Sequence, residues 1–132
     1  MTVEIERTGE TEHAASPAHR PPFYALDLAA EIAKLQQSER WLSEGADSKT
    51  LIRRANLVLE LALLNAGHQL ADHIYFSGAT IQVLIGRVRI SLDGQPVNIS
   101  ARQTLVINQT ATCEIAALDE SAILMSRVGE YK

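Results

Sequence analysis

The stretch from Gly86 to Ile99 constrains the fold most. Gly86-Arg87-Val88-Arg89-Ile90-Ser91-Leu92 alternates residue by residue. Val88, Ile90 and Leu92 take one face, and Arg87, Arg89 and Ser91 the other. A period of two marks a strand with one buried and one wet face. Asp93-Gly94 follows and suits a tight hairpin turn, since glycine tolerates positive φ. Gln95 to Ile99 returns with Val97 and Ile99 facing inward. Similar short segments surround this hairpin: Leu57–Leu64, Thr104–Ile107, Cys113–Ala117 and Ser121–Val128. Regular short strands without long helices between them predict an all-β sandwich or barrel.

The chain of 132 residues fits one domain, and a hydrophobic fraction of 46% supplies a core. The net charge of −4 and the scarcity of basic clusters, Arg53-Arg54 and Arg87/Arg89, argue against nucleic-acid binding. A single cysteine, Cys113, excludes an internal disulfide framework and suits a reducing compartment. No apolar run reaches membrane-spanning length, and the polar N-terminus lacks a signal peptide's apolar stretch. The expectation is a cytoplasmic protein with no membrane partner.

Residues 1–22 show no hydrophobic period and read as a mobile tail. The tail holds His13 and His19, weak ligands at that spacing, and a Val3/Ile5 alternation able to add a strand to a neighbour. Residues 23–132 form the single domain, with a helix over 27–37 and the barrel over about 50–128. Leu28, Ile32 and Leu35 make the helix's apolar stripe, with Asp27 as N-cap. Trp41 and Leu42 follow the helix, and Gly45-Ala46-Asp47-Ser48 reads as a loop. Leu57–Leu64 is apolar on both faces except at Glu60, so its outer side needs cover from the helix or from a second subunit. The second choice leads to an expected twofold homodimer.

The stretch from Gly67 to Gly86 resembles the first motif of the small single-domain cupins, the RmlC-like jelly rolls. Gly67, His73 and Gly86 match it, while Tyr75 stands at its second His and Ala79 at its Glu. The likeness covers about Leu57 to Val128. In the second motif Arg102 and Thr110 replace the glycines, Asn108 the Pro, Cys113 the His and Ala117 the Asn. The resemblance implies an all-β, cupin-type jelly roll with a short N-terminal helix outside it. It also implies a metal held by His, His, Glu and His, positions taken here by His73, Tyr75, Ala79 and Cys113.

Ala79 has no donor atom, and Tyr75 ligates only once its phenol ionises, far from its usual pKa near 10. His73 and Cys113 remain, fewer than the three ligands of a catalytic zinc site. No metal or other cofactor is therefore expected; a transition metal at His73/Cys113 is the alternative. His68 lies five residues before His73, so a regular strand points it to the opposite face and into solvent, unless a bulge intervenes. Gln82 falls on the face opposite Ala79. Cys113 reads as a small buried hydrophobe, with no group evident to orient His73 as its base.

The expected pocket is lined by His73, Tyr75, Ile81, Val83, Cys113 and Ile115, mainly apolar with a few polar points. The expected function is a metal-free, non-catalytic module that binds a small organic molecule or regulates. Two alternatives stand beside it: a metal-dependent cupin enzyme of dioxygenase or isomerase type with an atypical ligand set, and a purely structural dimer with a filled barrel.

Overall fold

The computed structural model describes residues 22–75 and 78–128, and of residues 71–75 the backbone alone. Among the described residues two short helices come first, α1 (Leu28–Leu35) and α2 (Glu39–Glu44). Nine strands follow: β1 (Ala46–Arg54), β2 (Leu57–Leu64), β3 (Gln69–Tyr75), β4 (Ala79–Ile85), β5 (Arg87–Leu92), β6 (Gln95–Ser100), β7 (Thr104–Ile107), β8 (Ala111–Ala117) and β9 (Ser121–Arg127). They form a five-stranded sheet, β1-β2-β9-β4-β7, and a four-stranded sheet, β3-β8-β5-β6. All pairings within both sheets are antiparallel. The strand rhythm predicted an all-β sandwich or barrel, and the structure is the all-β jelly roll with an external helix that the resemblance implied.

The hairpin that most constrained the fold forms as read. Val88 pairs with Ile99 and Ile90 with Val97. Both central turn residues have positive φ, 50° at Asp93 and 85° at Gly94, the geometry that matches the right-handed twist of the flanking strands. The Asp93 carboxylate also accepts from the Thr112 backbone N–H at 2.9 Å, tying the turn to β8.

Strand β2 shows how one element serves two cores. Ala62 and Leu64 face the second sheet and join Ile81, Val83, Val88, Ile90, Ile115 and Ile123 in the interior. Leu61 and Leu63 face outward and pack with Ile32 and Leu35 of α1, Leu51, Ile52 and Ala122. The cover that the two-faced strand needs is therefore the helix. Leu59, Leu84 and Leu124 at the margin of that face are only partly buried. Glu31, buried on α1, receives Lys49 of β1 at 2.9 Å and fixes the helix against the sheet. A charge is tolerated there because it is paired.

Three local expectations are corrected. The helix ends at Leu35, not Gln37, because Ser38 caps a new helix by accepting from the Trp41 N–H at 3.1 Å. Trp41 and Leu42 thus lie within α2, which closes at Gly45 with φ 78°. Ala46-Asp47-Ser48 is the start of β1, where backbone pairing to Leu64, Leu63 and Ala62 outweighs a polar composition. The tail of residues 1–22 lies outside the described residues apart from Pro22, with His13, His19, Val3 and Ile5. Among the described residues no helix is long and apolar enough to cross a membrane.

Candidate functional site

The barrel has two ends. The lower end gathers the β4–β5 corner and the turns after β2, β6 and β8; the upper end gathers the starts of β2, β4 and β8 and the close of β9. The motif positions divide between them, with Gly86 below and Ala79 and Cys113 above.

At the lower end Gly86 has φ 88°, and a Cβ there would collide with the Glu120 carbonyl and the Ser121 hydroxyl. The buried Ser121 Oγ accepts from the Arg87 N–H at 3.1 Å and lies 2.7 Å from the Asp119 carbonyl, to which it donates. The Arg87 guanidinium grips both Asp119 oxygens, at 2.7 and 3.2 Å, holding that carboxyl below its usual range. The Gly86 requirement is one of close backbone approach, not ligand chemistry. A shallow depression of about 90 Å³ lies beside it, lined by Arg87, Asn98, Ile99, Ser100 and Leu118, well below the usual size of a small-molecule pocket.

The second motif's glycine position repeats the lesson. Arg102 has φ 76°, a left-handed backbone that favours glycine, and its N–H donates to the Val83 carbonyl at 2.8 Å. The turn geometry is kept while the residue type is not.

The upper end holds the positions of the motif's metal ligands, whereas Gly67 and Ala117 pair at the lower end. His73 pairs in register with Cys113 and Tyr75 with Ala111, after a register shift between Leu70 and His73. The side chains of His73 and Tyr75 lie outside the described residues, so the space expected around His73 does too. Ala79 is 1% exposed and presents a methyl group to the interior. Cys113 is also 1% exposed, and burial, with the nearby Glu114 charge, pushes its thiol up to about 11. It is a neutral thiol near pH 7 and so not a ready nucleophile. Among the described residues no three His, Cys, Asp or Glu side chains converge as a metal site. Of the four motif ligand positions, Ala79 brings no donor atom and Cys113 a buried thiol.

Ile81, Val83, Cys113 and Ile115 all belong to the interior cluster and are essentially sealed from solvent. They are packed against one another as a floor, and an occupant would meet them from the upper end. His68 departs from its expectation. It is half-buried, its ring lies 3.0 Å from where a Gly45 Cβ would stand, and its Nδ1 is enclosed without a hydrogen-bond partner among the described residues. Gln82 pairs in register with Leu124 and Thr104 on the outer side, as parity required.

Other polar residues reach the inner face that the sequence did not place in the pocket. Side chains alternate along β2, so Glu60 shares the inward face with Ala62 and Leu64. Its cross-strand partners are Thr50 on β1 and Met125 on β9. Along β9, Ile123 and Met125 belong to the interior, and Arg127 follows on the same face. The Thr80–Ser126 hydroxyl contact, 2.6 Å long, fixes the intervening residues on the outer side. Arg127 therefore stands one strand over from Ala79. Parity with Ile123 and Met125 was the available signal for it.

No family model matches the chain, and no curated protein does. Solved structures do match. A cupin superfamily protein from Desulfitobacterium hafniense superposes with a TM-score of 0.63 at 17% identity, over 75% of this chain and 88% of that one. A cupin-2 domain containing protein from Shewanella frigidimarina gives 0.60 at 12% identity, over 79% and 94%. KdgF from Halomonas sp. gives 0.57 at 16% identity, over 67% and 84%. Likeness at these identities concerns the fold alone.

Proposed function

Taking a small cupin jelly roll as the premise, we propose that this protein is a metal-independent, non-catalytic module that binds a small polar molecule at the upper end of its barrel. The observation that carries this reading is the exchange of donors there. The motif's carboxylate position is the buried methyl of Ala79, and inward polar groups instead come from Thr50, Glu60 and Arg127. Apolar floor residues with a few convergent polar groups are the usual make-up of a small-molecule site.

Two measurements on protein purified without added metal test it. Elemental analysis should find well under one equivalent of transition metal per chain. A value near one equivalent, lost in His73→Ala, would point to a metal enzyme and overturn the reading. An amide NMR screen against small polar molecules should move resonances of Thr50, Glu60, Ala79 and Arg127 together.

A second reading, the filled structural barrel, draws support from the sealed packing of Ile81, Val83, Cys113 and Ile115. It requires that no compound in the screen perturbs the upper end.

A further inference from the structure

The inner face of the five-stranded sheet carries no charge in its lower rows and becomes charged only at its upper edge. The last row runs Arg53, Val58, Arg127, the outer two paired in register with Val58. One row deeper lie Thr50, Glu60, Met125 and Ile81, again joined by register. The Arg53 guanidinium reaches the Thr50 hydroxyl at 3.5 Å, which places Arg53 on the Thr50 side despite the register shift between Thr50 and Ile52.

Glu60 and Arg127 are both half-buried on this face. They occupy diagonal positions on neighbouring strands, a separation that long side chains can span. Yet neither Glu60 nor Arg127 takes part in an ion pair among the described residues. Opposite charges left apart on the rim of an apolar floor present two complementary contacts to a third molecule. Arg127 offers a planar fork suited to a carboxylate. Glu60, deeper, accepts hydrogen bonds and repels an anion. The cation lies in the outer row and the carboxylate one row deeper, so the acidic end of a ligand is drawn to the outer row.

We propose that the upper end binds a small carboxylate whose far end donates hydrogen bonds, the carboxylate on Arg127 and the donor on Glu60. The inference rests on the binding-module reading and names the class of its ligand. The fixed cation Arg127, beside Ala79, then does the charge neutralisation that a metal would do in a site with the full motif.

The test uses the full chain and three probes of matched length: butyrate, γ-hydroxybutyrate and γ-aminobutyrate, with n-butylamine as the control lacking a carboxylate. Titrations followed by amide NMR give Kd values at low salt. The two donor-bearing carboxylates should bind on the order of tenfold more tightly than butyrate, because butyrate leaves Glu60 unpaired. Comparing hydroxyl with ammonium shows whether the donor is neutral or charged. Arg127→Gln should weaken all three acids by roughly tenfold or more, with Arg127→Lys recovering part of the loss. Glu60→Gln should tighten butyrate and erase the preference for a distal ammonium.

Equal binding by wild type and Arg127→Gln would overturn the inference, as would n-butylamine binding better than the acids. In both cases the binding-module reading survives with another ligand. Silence of the upper end toward every compound, acidic or basic, removes both.

Discussion

The two ends of this barrel treat polar side chains in opposite ways. At the lower end Ser121, Arg87 and Asp119 form a closed set of hydrogen bonds around Gly86. At the upper end Glu60 and Arg127 reach the inner face without an ion pair among the described residues. The contrast separates two kinds of requirement that a motif can encode. Polar groups that satisfy one another hold the chain together, whereas polar groups left to water can be recruited by something else.

The largest expected effect lies below. Gly86→Ala forces a Cβ into the Glu120 carbonyl and the Ser121 hydroxyl at a φ unsuited to alanine. Clash and backbone strain together should cost about 3 kcal/mol or more. Urea denaturation measures it, and a loss within about 1 kcal/mol would mean that the corner yields easily and the contrast between the ends is overstated. Ser121→Ala comes next. It strips a partner from the Arg87 N–H in a buried place and should cost about 1–3 kcal/mol in the same assay. The smallest effect has the opposite sign. Glu60→Leu extends the apolar floor where no partner among the described residues is lost, and should stabilise by about 0.5–1 kcal/mol while abolishing carboxylate discrimination. A destabilisation of the size seen for Ser121→Ala would show that Glu60 belongs to the framework after all.

Much of the framework was legible because it is written in alternation. Val88, Ile90 and Leu92, the Asp93-Gly94 turn and the two-faced run Leu57–Leu64 each carry their burial in their spacing. The start of β1 was not legible, since Ala46-Asp47-Ser48 is ordered by backbone pairing to β2 rather than by its own side chains. Arg102 hides its left-handed turn for a related reason: the geometry lives in the backbone and only a glycine would have announced it. At the candidate site the motif named positions and left their chemistry open. Ala79 and Cys113 proved to be buried in the interior cluster. Glu60 was visible only as a flaw in an apolar run. Whether it faced helix or interior depended on register with Met125, a pairing between residues far apart in sequence.

The strand order β1-β2-β9-β4-β7 also has a consequence for how the protein is made. Strand β9 fills the gap between β2 and β4, yet it is the last of the nine to leave the ribosome. Until Ser121–Arg127 emerges, β2 and β4 each expose an unpaired edge, and the apolar side chains on both are held open. Assembly of this sheet is therefore a late and long-range event, slow by the standards of locally connected folds. A chain stalled or cut before Ser121 would present two sticky edges to its neighbours, the circumstance in which nascent β proteins associate with each other instead of closing on themselves.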